Sequence, residues 1–436
     1  MHPLSSPPIS FFVDELFRAD LEKLPWSHPI TSWRALGVRH FNIKRGLGRH
    51  PVVFVQAGSR KYVVKELGFE VARREVENYK QMLLRGLHTL IPAGCVAREE
   101  EPLAVWTPVG RQYQRHLVGH TVTLLIDHVL PDSQLYRRAF HFDNRKRIWD
   151  AIVELFVELH SNGVYWGDAS LANTLVKFMK IDIPHLGRKT RLKAFLADAE
   201  TVEIHASVPD SLRAADLAFF LEAMDWVNED LRASGMTRDE VATAQDKAYL
   251  REAYARRYEV ELQGRAFEQC SGLEIAKYLG TVREPAYFDV LRRHIEEHKW
   301  YLSERQQHEV GYAAAARDWL ENIFIPMCEL FKNEGLLDLF PGKTAADLYV
   351  EIMNNKYVLS RKAGRDVGML RAARDYAERF GEHHPVAIFW RRLAGGMRRI
   401  LGQRKKNGSL LICVDNECLL RDERAKSEVG SRFCEI

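Results

Sequence analysis

Two carboxylates and one amide have the types and spacing to do chemistry. Leu159 to Val176 reads L-H-S-N-G-V-Y-W-G-D-A-S-L-A-N-T-L-V, and within it Asp168 and Asn173 stand five apart. They fall on an expected loop between an apolar helix (Ile152 to Leu159) and an apolar strand (Thr174 to Phe178). A second acid, Asp198, closes a later apolar run, A-F-L-A-D-A-E. Base, amide and acid in this order suit phosphoryl transfer. Asp168 can orient an acceptor hydroxyl, while Asn173 and Asp198 supply oxygen ligands for Mg²⁺.

Such groups need elements to carry them. V-V-F-V (Val52 to Val55) and Y-V-V-K (Tyr62 to Lys65) flank A-G-S-R, a strand–turn–strand pattern. Gly46 and Gly48 lie just upstream in G-L-G-R-H-P-V-V and can either cradle phosphate or form a bare turn. Lys65 ends its strand as a counter-charge for phosphate or as a solvated strand end. The next segment, R-R-E-V-E-N-Y-K-Q-M-L-L, is helical. Glu75 shares a face with Tyr79 and Met82 and is the expected ion-pair partner of Lys65, the alternative being a solvated glutamate. Glu77 lies about 200° further round and cannot face the same way. P-L-A-V-W-T-P and V-T-L-L-I-D-H read as adjacent strands, the second running into a linker at Asp127 to Pro131. Arg137 to Leu159 is expected to be helical. So is the lead-in, where Phe12, Leu16, Phe17 and Leu21 recur at helical spacing.

Around Asp198, the strands Thr174 to Met179 and Leu192 to Ala197 are joined by a basic connector, read as a solvated turn. Glu200 is a second metal ligand or a structural residue. Asp216 opens D-L-A-F-F-L-E-A-M; it either braces the loop of Asp168 by accepting backbone amides or caps its helix.

Composition narrows the class. The chain has 436 residues, 46% apolar and 28% charged, with net charge +4. That suits a globular protein of two or three domains and gives no global argument for nucleic acid or a membrane surface. No apolar run approaches the ~20 residues of a membrane span, and the N-terminal residues do not read as a signal peptide. Six scattered cysteines without a C-x-x-C pair fit a reducing cytoplasm.

A duplication occupies the C-terminal part. Lys299 to Glu321 matches Lys356 to Glu378 at a constant offset of 57 residues, with Lys, Leu-Ser, Val-Gly, Ala-Ala-Arg-Asp and Glu in register. Each copy is expected to be a helix, a break at Leu-Ser and a second helix, with Ser303 and Gln306 as a capping box. Arg317/Asp318 and Arg374/Asp375 are expected to pair within or between copies. Beyond them, F-W-R-R-L-A-G-G-M-R-R-I-L-G-Q-R-K-K is a basic helix, solvated or touching an acidic surface.

The segments around Lys65, Asp168 to Asn173 and Asp198 resemble the protein-kinase-like superfamily, nearest its bacterial branch of lipopolysaccharide core kinases and the RIO-type atypical kinases. W-G-D-A-S-L-A-N-T-L-V, L-A-D-A-E-T and the two L-S…V-G segments are similar to an uncharacterised bacterial family, known only as a domain of unknown function with a lipopolysaccharide-kinase-like domain. The resemblance implies ATP and Mg²⁺ as cofactors. It makes Asp168 the base, Asn173 and Asp198 the Mg²⁺ ligands, Lys65 the phosphate-binding lysine and Glu75 its partner. It places Gly46, Gly48 and Val53 over the nucleotide and Asp127 at the hinge where adenine meets the backbone. Departures are Pro51 for the third glycine, Ser170 for a lysine, and Ala199-Glu200 for Phe-Gly.

The expected fold is α+β: a bilobal kinase-like core with a small antiparallel-sheet lobe and a mainly helical lobe, plus a helical duplicated region. The expected divisions are 1–35 lead-in, 36–128 N-lobe, 129–285 C-lobe, 286–385 duplicated helices and 386–436 basic helix and tail. The expected function is ATP- and Mg²⁺-dependent phosphoryl transfer to a hydroxyl. No A-P-E motif lies in the short gap from Asp198 to Asp216, which favours a small-molecule or atypical acceptor over a peptide. The alternatives are a pseudokinase scaffold meeting a protein partner through the helical repeats, or an AMP transferase.

Overall fold

The computed structural model describes residues 8–43, 50–108, 110–135, 142–183, 187–233, 235, 243–340 and 342–381. Gly46, Gly48 and the expected region 386–436 lie outside them.

Alternating side chains make the first sheet. Strand β1 (Ile9–Val13) precedes helix α1 (Glu15–Leu21), and strands β2 (Val52–Ala57) and β3 (Arg60–Gly68) form an antiparallel hairpin. Helix α2 (Phe69–Leu84) follows, then the long antiparallel strands β4 (Pro92–Thr107) and β5 (Gly110–Leu124). The sheet order is β1-β4-β5-β3-β2. One face carries Tyr62, Val64, Val96 and Val122, which pack with Trp26 and Trp33. The other receives α2, whose inward residues Ala72, Glu75, Val76, Tyr79 and Met82 follow the helical period. That approach needs a glycine on the sheet: a Cβ on Gly119 of β5 would stand 2.6 Å from Phe69 Cα.

The expected helical lead-in is partly a strand. Phe12 lies on β1, paired with Cys95 of β4, and the helix begins only at Glu15, capped by Asp14.

The second lobe starts with the short strand β6 (Val129–Pro131) and the one-turn helix α3 (Asp132–Leu135). Helix α4 (Phe142–Ser161), strand β7 (Val164–Tyr165), strands β8 (Thr174–Ile183) and β9 (Gly187–Leu196), strand β10 (Glu203–Ile204) and helices α5 (Asp210–Ala233) and α6 (Ala244–Ser271) complete it. The connector expected as a turn between β8 and β9 is largely strand, with residues 184–186 outside the described set. Trp149, Phe156, Leu159, Trp166 and Phe220 fill a core in which each large apolar side chain withdrawn from water contributes about 1.5–3 kcal/mol. A small antiparallel-sheet lobe followed by a helical lobe, joined between β5 and β6, is the bilobal protein-kinase-like fold.

The chain divides into two compact units. One holds the residues up to Ile181 and Arg188–Tyr258; the other holds Asp182–Gly187 and the chain from Glu259. The second is helical: α7 (Ile275–Tyr278), α8 (Pro285–Gln306), α9 (Tyr312–Trp319), a π turn (Leu320–Phe324), α10 (Ile325–Asn333), α11 (Leu336–Leu339), α12 (Ala345–Ala363) and α13 (Met369–Phe380). No helix among the described residues is long and apolar enough to cross a membrane.

The duplication is visible contact by contact. Lys299 pairs with Glu309 at 3.0 Å, and Lys356 with Asp366 at 2.9 Å. The Val310 amide donates to Ser303 Oγ at 3.0 Å, and the Val367 amide to Ser360 Oγ at 3.2 Å. Asp318 accepts from His298, and Asp375 from Asn355. Gly311 and Gly368 both precede the second helix. The expected break at Leu-Ser and the capping box at Ser303 and Gln306 are not there. Ser303 lies inside α8, donates to Lys299 O four residues back, and closes the turn after the helix. Asp318 and Asp375 take their partners at equivalent positions one residue before each matched stretch, His298 and Asn355, and Arg374 pairs with Glu334 at 3.3 Å.

Candidate active site

Pleating decides what each strand offers the site. On β3, Tyr62 and Val64 point to the outer core, so Lys65 points to the opposite face, toward α2. Its Cα partners are Val52 and Thr121. Nearly two helical turns into α2, Glu75 faces the sheet at 1% exposure, while Glu77 is exposed. Lys65 Nζ lies 3.3 Å from Glu75 Oε1, 2.8 Å from Asp198 Oδ2 and 3.3 Å from Glu200 Oε2. Residues separated by 10, 133 and 135 positions thus meet at one ammonium.

The electrostatics follow. Burial works against the Lys65 charge, but the fields of Glu75, Asp198 and Glu200 outweigh it and hold the pKa above its ordinary value. Three carboxylates facing one ammonium leave two negative charges uncompensated when all are ionised. Glu75 is the most buried of the three; burial, assisted by the charge of Asp198 and opposed by Lys65, pushes its pKa up to about 7. Thr121 Oγ1 donates to Glu75 Oε2 at 2.7 Å, and the Tyr79 hydroxyl lies 3.3 Å from Oε1. His50 Nε2 stands 3.7 Å from Glu200 Oε2 on the side of β2.

The loop after β7 carries the other polar groups. Asn173 Nδ2 donates to Asp168 O at 3.2 Å and to Asp168 Oδ2 at 3.1 Å, which aims the amide oxygen away from Asp168. Asn173 O accepts the Ala197 amide at 2.9 Å, and Trp166 Nε1 donates to Asp198 O at 3.2 Å. The loop and the Asp198 segment are therefore joined directly. Gly167 adopts φ +81°, and a Cβ there would meet Thr201 O at 2.9 Å, so the junction requires glycine.

Asp216 resolves its two readings. Helix α5 starts six residues earlier, at Asp210, so Asp216 is not its cap. It is 1% exposed, and its carboxylate accepts the amides of Trp166 (2.7 Å) and Gly167 (2.8 Å), with His160 Nε2 at 3.1 Å. His160 Nδ1 lies 2.7 Å from the Tyr254 hydroxyl.

One site expectation is corrected. Val53 pairs with Val64 and packs into the outer core, on the face of the sheet away from Lys65. Val52 and Phe54 share the face of Lys65, because a one-residue change of position reverses the side of a strand. Asp127 is exposed between β5 and β6, where its carboxylate accepts from Lys61 Nζ at 2.8 Å. That hydrogen bond holds its pKa below the usual range. Leu125 N donates to Lys61 O at 3.0 Å, which ties the connection between lobes to β3.

The donor chemistry fits Mg²⁺. Asn173 and Asp198 offer an amide oxygen and a carboxylate, hard oxygen donors on backbone segments joined by the Ala197 amide to Asn173 O. Among the described residues no group of three or more His, Cys, Asp or Glu forms a metal cage. An ion held by one or two carboxylates and completed by water and phosphate oxygens needs none.

Sequence reasoning missed Asn78 and His160. Asn78 had a readable signal, a polar residue on the face that carries Ala72, Val76, Tyr79 and Met82; its Nδ2 donates to Ala199 O at 2.8 Å and Val202 O at 3.0 Å.

Residues 313–380 match the family described as Domain of unknown function (DUF4032). No curated protein matches the sequence. Among solved structures, the chain is similar to WaaP in complex with acyl carrier protein, at 17% identity and TM-score 0.35, covering 57% of this chain and 89% of that one. It is also similar to the Rio2 kinase from Chaetomium thermophilum (14%, TM-score 0.28, 52% and 76%) and to an aminoglycoside-3'-phosphotransferase of type VIII (13%, TM-score 0.29, 55% and 98%).

Proposed function

Taking the kinase-like fold as premise, we propose that the chain is an ATP- and Mg²⁺-dependent phosphotransferase acting on a hydroxyl of a small or atypical acceptor. The observation that carries this reading is the meeting of Lys65 with Glu75 and Asp198 beside the hydrogen-bonded pair Asp168–Asn173. Phosphoryl transfer asks a protein mainly for positioning and electrostatic stabilisation, and these groups supply both.

In this reading Lys65 offsets phosphate charge, and Glu75 fixes the direction of its side chain. Asn173 and Asp198 hold Mg²⁺, which when bound contributes a hard positive charge beside the transferring phosphoryl. Asp168 orients the acceptor hydroxyl and takes its proton, and Asn173 restrains the Asp168 carboxylate for that task. Val52 and Phe54, on the Lys65 face of β2, are the apolar residues offered to a nucleobase. The preference for a small acceptor rests on the short passage from Asp198 to α5, residues 199–209, part of which is committed to the β7–β10 pair.

The test is thermal unfolding with and without Mg-ATP, on the wild type and on Asp198→Asn. Nucleotide at one hundred times its dissociation constant should stabilise the wild type by about 2.7 kcal/mol. The shift should require Mg²⁺ and be lost in the variant; no shift at millimolar nucleotide would refute the reading. Mass spectrometry of acceptor libraries then distinguishes phosphoryl from adenylyl transfer, and Asp168→Asn should abolish turnover.

A further inference from the structure

The segment carrying Asp198 lacks the Phe-Gly that follows this acid in the resembled superfamily; it continues Ala199-Glu200-Thr201-Val202. Its carbonyls are taken up by side chains from two other elements. From α2, Asn78 Nδ2 donates to Ala199 O at 2.8 Å and to Val202 O at 3.0 Å, and the Tyr79 hydroxyl donates to Ala197 O at 2.7 Å. From the loop after β7, Trp166 Nε1 donates to Asp198 O at 3.2 Å, and Thr201 Oγ1 returns a bond to Trp166 O at 2.8 Å. Both amide protons of Asn78 are spent, and both bonds are buried. Ala199 itself is fully buried and presents only a methyl group.

We propose that Asn78 is a positioning residue that fastens helix α2 to the Asp198 segment, so that Glu75 and Asp198 move as one body and the lysine-binding acids stay assembled without an activating movement of α2. Asn78 lies one position before Tyr79 and three after Glu75, so one helical turn carries the partner of Lys65 and both fasteners of the segment. An apolar side chain following Asp198 could pack against α2 and slide; two hydrogen bonds from one planar amide to carbonyls three residues apart set both distance and register. Rotation of α2 that withdrew Glu75 from Lys65 would break both bonds; Ala199 O would keep only the Val202 amide at 3.3 Å, and Val202 O would lose its Asn78 donor, a loss that a buried carbonyl makes costly. Glu75 and Asp198 therefore respond together to whatever binds between them. The mechanical claim stands on geometry alone; its catalytic meaning rests on the phosphotransferase reading.

The experiment separates the two. Asn78→Leu keeps the approximate volume and removes both donors. Hydrogen exchange is followed in the full-length chain over α2 and over residues 197–202, with Arg74→Gly on the exposed face of α2 as the perturbation. In the wild-type background Arg74→Gly should speed exchange in both segments by a common factor of about five, the scale of one glycine in a helix interior. In the Asn78→Leu background the acceleration at residues 199–202 should be lost, while Ala197 stays held by the Tyr79 hydroxyl. If Arg74→Gly leaves residues 197–202 unchanged in the wild type, or if the coupling survives Asn78→Leu, the inference is overturned whatever the protein catalyses. A protein whose unfolding does not respond to Mg-ATP while the coupling is present refutes the function and keeps the fastening. The positioning role predicts one more result. In Asn78→Leu the Mg²⁺ concentration for half-maximal nucleotide stabilisation rises by up to about tenfold, the lower end of the effect of removing a direct partner of a metal ligand, since Asn78 holds the backbone beside Asp198 and not its carboxylate. Asn78→Gln, which can still donate, should lie nearer the wild type. An Asn78→Leu protein that melts lower with unchanged Mg²⁺ dependence would reduce Asn78 to a structural residue and overturn the role.

Discussion

Removing the Asp216 carboxylate should loosen the loop that carries Asp168 before it does anything to chemistry. The side chain is 1% exposed and accepts two backbone amides, Trp166 at 2.7 Å and Gly167 at 2.8 Å, with His160 Nε2 at 3.1 Å. Hydrogen bonds to a charged group contribute about 1.5–3 kcal/mol each, and breaking a buried charged cluster from one side costs about 3–5 kcal/mol because its partners stay buried. The loss is less than the sum of the bonds, since water can enter the space left by a truncated side chain. Asp216→Ala should therefore destabilise the first unit by about 3–5 kcal/mol. Asp216→Asn should cost less, because one carbonyl oxygen remains while the amide nitrogen faces a donor.

Calorimetric unfolding measures this, with hydrogen exchange over residues 163–168 to assign the affected part. A unit of this size loses roughly 2–4 °C per kcal/mol, so its transition should fall by roughly 6–20 °C in Asp216→Ala. Exchange at residues 163–168 should accelerate in the same variant. A loss below about 1 kcal/mol, with exchange in that stretch unchanged, would refute the reasoning, because the amides of Trp166 and Gly167 would then be satisfied without Asp216.

Glu75 predicts a pH effect. Its pKa is raised from 4.5 to about 7 in the fold, so the folded chain binds a proton that the unfolded chain releases, and stability should fall as pH rises through that window. Glu75→Gln should flatten the slope, as melting temperatures across the same range would show; an unaltered slope would place the proton elsewhere. Gly167→Ala should cost at least about 1–2 kcal/mol from its left-handed backbone, with a further cost from the 2.9 Å approach to Thr201 O, measured by urea unfolding. In the duplicated region, Ser303→Ala and Ser360→Ala should each cost about 1 kcal/mol by removing the acceptor of the Val310 and Val367 amides, and unequal losses would show that the two copies are not mechanically equivalent.

What the sequence disclosed, and what it withheld, divides by the range of the interaction. Asp168, Asn173 and Asp198 could be singled out as candidates because their order relative to apolar runs is local and phosphoryl transfer restricts the residue types. Glu75 could be chosen over Glu77 because helical geometry turns about 100° per residue and leaves no ambiguity over two positions. Val53 failed for the same kind of reason in reverse: a strand changes face at every residue, so a role assigned by counting from Gly46 and Gly48 flips when the count is off by one. Ser303 failed because Ser-x-x-Gln fits a helix start and a helix interior alike, and only the bond to Lys299 O distinguishes them. Phe12 became a strand residue because β4 offers it an edge some eighty positions away, a partner that no local period can announce. Asn78 is the instructive case. Its partners are carbonyls 121 and 124 residues distant, and a backbone carbonyl has no letter in the sequence. Its own letter was nevertheless informative. An asparagine on the buried face of a helix must find two acceptors or bear the cost of burial, so its presence among Ala72, Val76, Tyr79 and Met82 already requires a polar backbone segment packed against α2. The sequence could state that demand, and the fold meets it with the backbone on either side of Asp198.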